Sequence, residues 1–325
     1  GKAASLHHYG RQAKQALDVA RQQVAALVNV QPQQVIFTSG GTEGNNLAIK
    51  GVAASLQCEL GARASSPLVW AVSAIEHSCV LQAAGSLAAQ GWQVRELPSD
   101  GTGVVYPPHS SLPPRGEGAC TPHAISLMLA NNETGVIQPV AQWGAWAKQQ
   151  GAWLHVDAVQ AVGKIPVDFK ALGCHLMSMA SHKLYGPQGV GALIVDKRLE
   201  LSPLHHGGGH ELGVRSGTPN VAGIVGFGAA CALAQAQLAA RTAHLKALQT
   251  QLEQGLSTIS NLTIFGQHRE RLPNTTQFAV TGMRGDALQM ALDRAGFAVS
   301  SGSACDSGKG LPSHVLLAMG YDEAT

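Results

Sequence analysis

The chain has 325 residues, of which 45% are hydrophobic and only 13% are charged, and its formal net charge at pH 7 is +2. This composition is typical of a globular, enzyme-like protein and excludes a disordered chain. No cluster of lysine and arginine is long enough to follow a nucleic-acid backbone, and no apolar run predicts a membrane span, so neither nucleic acid nor a membrane is an expected partner. The six cysteines are scattered without a C-x-x-C pair, which indicates reduced thiols and predicts a cytoplasmic protein.

Helical and strand-like segments alternate over the first two thirds of the chain. Apolar residues at helical spacing predict helices over 11–28, 47–54, 79–89 and 139–149. Short apolar runs predict buried strands at 35–37, 68–75, 124–130, 152–156, 176–180 and 190–195. This alternation predicts an α/β fold with a mostly parallel central sheet.

The last third of the chain predicts a smaller α+β region. A long helix over 220–256 leads into it. The region itself is predicted to contain strands at 262–265, 275–280 and 297–300 and helices at 286–294 and 312–319. We therefore expect a large domain over 1–237 and a small C-terminal domain over 238–325. Residues 98–118 are rich in proline and glycine and predict a surface loop.

Polar or ionisable residues repeatedly follow the predicted strands at the point where each strand ends. They are Thr42, His77, Asn132, Asp157, Gln160 and Lys183. The carboxyl ends of parallel strands meet at one edge of the sheet, where open α/β sheets bind ligands. The sequence therefore predicts that these side chains converge on one crevice.

Lys183 follows the apolar strand 176–180 and precedes a Gly/Pro turn. A buried charged lysine is unfavourable by several kcal/mol. Taken alone, Lys183 is either a strand-end lysine whose amine reaches solvent or an amine engaged as a Schiff base.

The segment 38–46 is rich in glycine and polar residues and lies between a predicted strand and a predicted helix. Such a turn directs backbone N–H groups at an anion, and Gly40, Gly41 and Thr42 would suit a phosphate. A tight turn with a helix cap explains the same residues without a ligand.

Taken together, these residues match the parts of a pyridoxal-phosphate site. Lys183 would provide the Schiff base, and a buried carboxylate such as Asp157 would keep the ring nitrogen protonated. Gln160 could hold the ring oxygen, and the imidazole of His77 could cover the ring.

Eight stretches, in order along almost the whole chain, resemble the cysteine desulfurases of the class V aminotransferase family. They are 37–51 (FTSGGTEGNNLAIKG), 76–77 (EH), 131–135 (NNETG), 155–160 (HVDAVQ), 181–187 (SHKLYGP), 207–211 (GGGHE), 215–218 (RSGT) and 300–305 (SSGSAC). The resemblance implies the type I pyridoxal-phosphate-dependent transferase fold, with a homodimeric assembly.

The resemblance also implies catalytic roles. Lys183 would carry the cofactor and move the Cα proton, His77 would stack on the ring and relay protons, and Cys305 would be the nucleophile. Asn132 would contact both the substrate and a cofactor oxygen.

The remaining implied roles concern cofactor binding. Asp157 would pair with the ring nitrogen and Gln160 with the ring hydroxyl. The residues implied at the phosphate are Gly41, Thr42, Ser181, His182 and, in the partner subunit's site, Thr218.

The implied reaction converts L-cysteine to L-alanine and leaves the sulfur as a persulfide on Cys305. The segment around Cys305 matches the long-loop group of the family. The sulfur would therefore pass to an acceptor or iron–sulfur scaffold protein, for iron–sulfur cluster assembly or tRNA thiolation. Two alternatives stay open: a cysteine or selenocysteine lyase on the same fold, and an inactive cofactor-binding scaffold that docks sulfur acceptors.

Cys305 lies in the glycine-rich segment 301–310, which predicts a flexible loop whose thiolate could reach a substrate. A surface cysteine without chemistry is the alternative for this segment alone. The other five cysteines are predicted to be structural because they lie in or beside apolar segments.

Three departures from the family pattern stand out. Ala180 occupies a position where the family has a phosphate-binding serine, for which Ser178 or Ser181 could substitute. The family's substrate-carboxylate arginine follows the cysteine loop in a segment that these 325 residues do not contain, so either the sequence is partial or the substrate clamp is missing. A proline-rich loop over 107–114 replaces a short helix.

The histidines at 205, 206 and 210 could bind a divalent metal, but a glycine turn near a subunit interface is the favoured interpretation, so no metal is predicted.

Overall fold

The computed structural model describes residues 5–60, 66–108, 121–302 and 312–322. Its centre is a seven-stranded sheet in the order β1-β7-β6-β5-β4-β2-β3. The strands are β1 (Val35–Thr38), β2 (Val69–Ser73), β3 (Gln93–Leu97), β4 (Ala124–Met128), β5 (Trp153–Asp157), β6 (Leu176–Ala180) and β7 (Gly191–Val195). Strands β2 to β6 pair in parallel, and β7 is antiparallel to both β1 and β6. The predicted α/β fold with a mostly parallel sheet is confirmed.

Helices cover both faces of this sheet. They are α1 (His8–Leu27), α2 (Gly41–Leu60), α3 (Ser78–Gly85), α4 (Val140–Gln150), the short α5 (Phe169–Leu172) and the 36-residue α6 (Val221–Leu256). The apolar core accordingly forms two clusters, one on each face of the sheet. Successive residues of a strand point to opposite faces, so on β7 Ile194 belongs to the cluster with α1, α4 and α6, and Leu193 to the cluster with α2 and α3. Burial on both faces explains why these strands are continuous apolar runs.

The smaller C-terminal region contains a two-stranded antiparallel sheet and two helices. They are β8 (Leu262–Ile264), β9 (Phe278–Val280), α7 (Gly285–Arg294) and α8 (His314–Ala318). Val315 and Met319 of the last segment pack into the main core, so α8 lies against the large sheet region. The expected domain boundary at 237/238 falls inside the continuous helix α6, and the division into 1–237 and 238–325 stays a prediction.

Two secondary-structure predictions were wrong, and one strand was not predicted. Residues 297–300 do not form a strand, because the Phe297 N–H bonds to the Leu292 carbonyl and closes the end of α7 after Gly296, whose φ is +88°. The helix that follows the glycine turn begins at Gly41 and not at 47, since the Gly44 N–H already bonds to the Gly40 carbonyl. Strand β3 was not predicted, because it is an edge strand that keeps polar side chains accessible.

Candidate active site

One large cleft, with a volume of about 1520 Å³, opens at the carboxyl ends of the parallel strands. All six residues predicted to converge there line it: Thr42, His77, Asn132, Asp157, Gln160 and Lys183. Gly41, Ala180 and His182 line the same cleft. The prediction that these side chains converge on one crevice is confirmed.

Asp157 is the last residue of β5 and is only 6% exposed. Its carboxylate accepts hydrogen bonds from Asn45 Nδ2 at 2.8 Å and from the Val159 N–H at 3.0 Å. Burial raises the pKa of Asp157, while these two hydrogen bonds lower it. No ion pair among the described residues involves Asp157. A cationic group in the cleft would therefore be strongly favoured beside this carboxylate.

His77 caps the N-terminus of α3. Its Nδ1 accepts from the Cys79 N–H at 3.2 Å and lies 3.0 Å from Cys79 Sγ. Two contacts at Nδ1 leave Nε2 to carry the proton of a neutral imidazole. Cys79 was predicted to be structural, but it lines the cleft. Burial, followed by the charge of Asp157, raises the pKa of Cys79 to about 11, so it is a thiol at neutral pH.

Gln160 is oriented by a lysine that the sequence did not single out. Lys164 Nζ donates to Gln160 Oε1 at 2.8 Å, which leaves the Gln160 Nε2 donors for the cleft. Burial, followed by the charge of Lys183, lowers the pKa of Lys164 to about 8. A donor such as Gln160 Nε2 suits a phenolate-type oxygen.

The N-terminus of the 20-residue helix α2 forms the anion-binding end of the cleft. A Cβ at Gly41 would lie 2.7 Å from Val159 Cγ2, so glycine lets the start of the helix pack closely against Val159, two residues after β5. Unpaired N–H groups and the helix dipole favour a phosphate at this position. His182 is exposed at the same end, and burial and then Lys183 lower its pKa.

Two of the predicted phosphate-binding residues lie away from the cleft lining. Ser181 is fully buried, and its Oγ has no hydrogen-bond partner among the described residues. Thr218 is exposed and does not line the cleft of its own chain. Its segment is held by two ion pairs, Arg21–Glu211 at 2.7 Å and Arg215–Glu43 at 2.7 Å.

The loop that follows β4 brings the amide of Asn132 and the carboxylate of Glu133 to a wall of the cleft. Asn132 Oδ1 is buried without a hydrogen-bond partner in the described part of the chain. Glu133 Oε2 accepts from Ser313 Oγ at 2.5 Å and from Gln277 Nε2 at 3.2 Å, which ties this wall to the C-terminal region. A ligand bearing a hydrogen-bond donor would satisfy Asn132.

Cys305 lies outside the described residues. Both flanks of its segment, Gly302 and Pro312, line the cleft that contains Lys183. Two residues after the second flank, the His314 Nε2 atom lies 2.8 Å from the Glu76 carbonyl oxygen, which immediately precedes His77. The described residues on either side of the cysteine segment therefore lie at the cleft.

The residues present fit pyridoxal phosphate. Asp157 has no ion-pair partner among the described residues, and a protonated pyridine ring would supply its cation. The close approach at Gly41 beside the N-terminus of α2 would take the phosphate of the same group. Across residues 5–60, 66–108, 121–302 and 312–322, no cluster of three or more His, Cys, Asp and Glu residues could hold a metal ion.

The fold and the cleft together define an α/β enzyme of the pyridoxal-phosphate type. Residues 2–321 match the family described as Aminotransferase class-V, and the chain belongs to this family. It is 39% identical over 320 residues to the cysteine desulfurase IscS of Dictyoglomus turgidum, covering 98% of this chain and 78% of that protein.

Solved structures agree with this assignment. A NifS-like protein superposes with a TM-score of 0.87 at 34% identity, covering 100% of this chain and 83% of the other. A structure of SspA in complex with cysteine gives a TM-score of 0.82 at 31% identity, covering 100% and 88%. The expected family, its fold and its cysteine desulfurase type of enzyme are therefore confirmed.

One helix of the described residues, α6, is long and apolar enough to cross a membrane by length and composition alone. The expectation that no apolar run reaches this length is therefore not met. The observation is weak evidence for a membrane span, because long core helices pass the same test. Ile224, Phe227 and Cys231 of α6 pack into the core with α1.

Proposed function

We propose that the protein is a pyridoxal-phosphate-dependent cysteine desulfurase that converts L-cysteine to L-alanine and takes the sulfur onto Cys305. The observation that carries this proposal is the shared cleft. Lys183, Asp157 and His77 line it, and so do both flanks of the Cys305 segment. The names of its relatives, and the cysteine bound in the SspA structure, support cysteine as the substrate.

Each cleft residue has a task that its contacts support. Lys183 Nζ would hold the cofactor covalently and later carry the substrate Cα proton. Asp157 would keep the ring nitrogen protonated, Gln160 Nε2 would donate to the ring oxygen, and the α2 N-terminus with His182 would bind the phosphate. When bound, pyridoxal phosphate supplies an electron sink for negative charge at Cα.

The sulfur transfer balances in atoms and electrons without an added oxidant or reductant. The Cys305 thiolate attacks the substrate sulfur, so an S–S bond forms while the bond between the substrate Cβ and sulfur breaks. Cβ takes a proton, which His77 or Lys183 of the cleft lining would deliver, and alanine leaves. Cys305 is oxidised to a persulfide, and the former Cβ–S carbon is reduced to a methyl group.

The wider setting is part of the same proposal. The persulfide would pass to an acceptor or iron–sulfur scaffold protein, for iron–sulfur cluster assembly or tRNA thiolation. The exposed Thr218 would serve the phosphate of the partner subunit's site in a homodimer. The scattered cysteines, free in the described part of the chain, support a cytoplasmic location.

The test begins with the absorption spectrum of the protein purified with pyridoxal phosphate, followed by assays of alanine and sulfide after adding L-cysteine and a reductant. We expect a visible cofactor band that Lys183→Ala abolishes, and alanine formation that Cys305→Ala abolishes. Cys58→Ala is the matched control, because Cys58 is an exposed free cysteine on α2.

The two alternatives give different results. Turnover of cysteine or selenocysteine that does not depend on Cys305 would indicate a lyase. Cofactor binding without any turnover would indicate the scaffold, and no cofactor binding would contradict every pyridoxal-phosphate function.

A further inference from the structure

A line of buried polar side chains runs beneath the floor of the cleft and ends at Asp157. Trp70 Nε1 lies 3.1 Å from Ser126 Oγ, which lies 3.1 Å from His155 Nδ1. His155 Nε2 lies 3.1 Å from Asn45 Oδ1, and Asn45 Nδ2 lies 2.8 Å from Asp157 Oδ2. The first four of these side chains are at most 1% exposed, so water does not compete for their hydrogen bonds.

The hydrogen bonds at the two ends of this line have fixed directions, because an indole N–H and an amide N–H can only donate. An indole N–H can only donate, so Ser126 Oγ accepts from Trp70 and its own hydroxyl proton is free to be donated to His155 Nδ1. Burial lowers the pKa of His155 to about 3, so the imidazole is neutral and carries a single proton. Asn45 Nδ2 donates to Asp157, so Asn45 Oδ1 is the acceptor that faces His155, and the imidazole proton lies on Nε2 while Nδ1 accepts from Ser126.

The Nε2 proton in turn fixes the Asn45 amide. His155 Nε2 can donate to Asn45 Oδ1 and to Ser178 Oγ, both at 3.1 Å. Asn45 Oδ1 is thus held toward the histidine, and Asn45 Nδ2 is held toward Asp157. A flipped amide would place its oxygen against the Asp157 carboxylate, and the repulsion would favour a protonated, neutral Asp157.

We propose that His155 is a positioning residue for the cofactor: through Asn45 it holds the Asp157 carboxylate ionised and directed at the ring nitrogen. The inference rests on the proposed function, because it takes pyridoxal phosphate as the ligand. His155 does not line the cleft and acts only through its neighbours. If His155 served only core packing, replacing it would change the binding of ligands with and without the ring nitrogen by the same factor.

The experiment compares pyridoxal phosphate with its 1-deaza analogue, which has carbon in place of the ring nitrogen. Both are titrated into the apoprotein, and bound ligand is followed by absorbance and by quenching of tryptophan fluorescence. We expect His155→Leu to weaken binding of pyridoxal phosphate about tenfold, the scale of one hydrogen bond to a charged group, and to change binding of the analogue less than about twofold. His155→Gln, which keeps a donor near the Nε2 position, should recover most of the loss.

His175→Leu is the matched control. His175 is also a largely buried histidine of the sheet region, but its Nδ1 accepts from the Leu154 N–H and it has no contact with Asn45 or Asp157. We expect it to leave the ratio of the two dissociation constants unchanged. Ser126→Ala is a second variant in case His155→Leu fails to fold, and it should show the same dependence on the ring nitrogen with a smaller loss.

Nitrogen NMR of the unsubstituted apoprotein reads the tautomer directly and needs no variant. A proton on His155 Nε2 supports the inference, and a proton on Nδ1 overturns it. Equal weakening of both ligands by His155→Leu would also overturn it, as would no weakening of either. Failure of the unsubstituted protein to bind pyridoxal phosphate would instead refute the proposed function, so the two failures are distinguishable.

Discussion

Lys164 Nζ donates to Gln160 Oε1 over 2.8 Å, and this contact fixes which end of the Gln160 amide faces the cleft. Lys164→Met removes the donor and lets the amide rotate. We expect a several-fold weaker affinity for pyridoxal phosphate, comparable with one hydrogen bond. Lys164→Arg keeps a donor and should retain more of the affinity. Equal affinities of Lys164→Met and the unsubstituted protein would show that Gln160 needs no such support.

Lys164 also predicts a pH dependence of stability. Its pKa falls from the ordinary 10.5 to about 8 in the folded chain, so between these values the unfolded state binds one proton more. The contribution of Lys164 to the free energy of unfolding therefore rises with pH across this window, by about 3 kcal/mol. Urea unfolding of the apoprotein at several pH values, with Lys164→Met as the reference, measures this difference. A constant difference from pH 8 to 10.5 would contradict the shift.

Glu76 predicts the opposite slope at lower pH. Burial, followed by the charge of Asp157, raises the pKa of Glu76 from 4.5 to about 8. The folded state then keeps a proton that the unfolded state has lost, so the free energy of unfolding falls between these values by up to about 5 kcal/mol. Glu76→Gln, which does not titrate, should become progressively more stable than the unsubstituted apoprotein from pH 5 to 8. Parallel stability curves would show that Glu76 ionises normally.

The cysteines differ in their predicted reactivity. Burial raises the pKa of Cys174 and Cys231, and Cys79 has a pKa of about 11, so at pH 7 roughly one Cys79 in ten thousand is a thiolate. Cys58 is exposed on α2. We expect iodoacetamide to label Cys58 long before Cys79, Cys174 or Cys231, as read by mass spectrometry of peptides. Rapid labelling of Cys79 would indicate an activated thiol beside His77.

Ser313 connects the segment after Cys305 to the cleft wall. Its Oγ donates to Glu133 at 2.5 Å, and it also caps α8 by accepting from the Leu316 N–H at 3.2 Å. We expect Ser313→Ala to slow alanine formation while the dissociation constant of pyridoxal phosphate stays within about twofold, because no cofactor contact is lost. Weakened cofactor binding with an unchanged rate would show that Ser313 serves the cofactor and not the cysteine segment.

The sequence predicted the cleft well because its signal is local. An apolar run ends in a polar residue or is followed by one within a few positions, as for Asp157 at the end of β5 and Lys183 three residues after β6. Parallel strands bring such residues to one edge of the sheet. It missed Asn45, His155 and Lys164, because their importance comes from contacts between distant elements. Asn45 and His155, for instance, are 110 residues apart in the chain. The predicted strand at 297–300 was wrong for a similar reason, since a short apolar run forms a strand only beside a partner strand.

The most direct test of the account is the site of the transferred sulfur. The protein with bound pyridoxal phosphate is mixed with one equivalent of L-cysteine without reductant, persulfides are alkylated, and peptides are analysed by mass spectrometry. The account predicts one additional sulfur atom on the peptide that contains Cys305, in step with the alanine released. Alanine release with no sulfur on Cys305, or with sulfur on Cys79 instead, would contradict it.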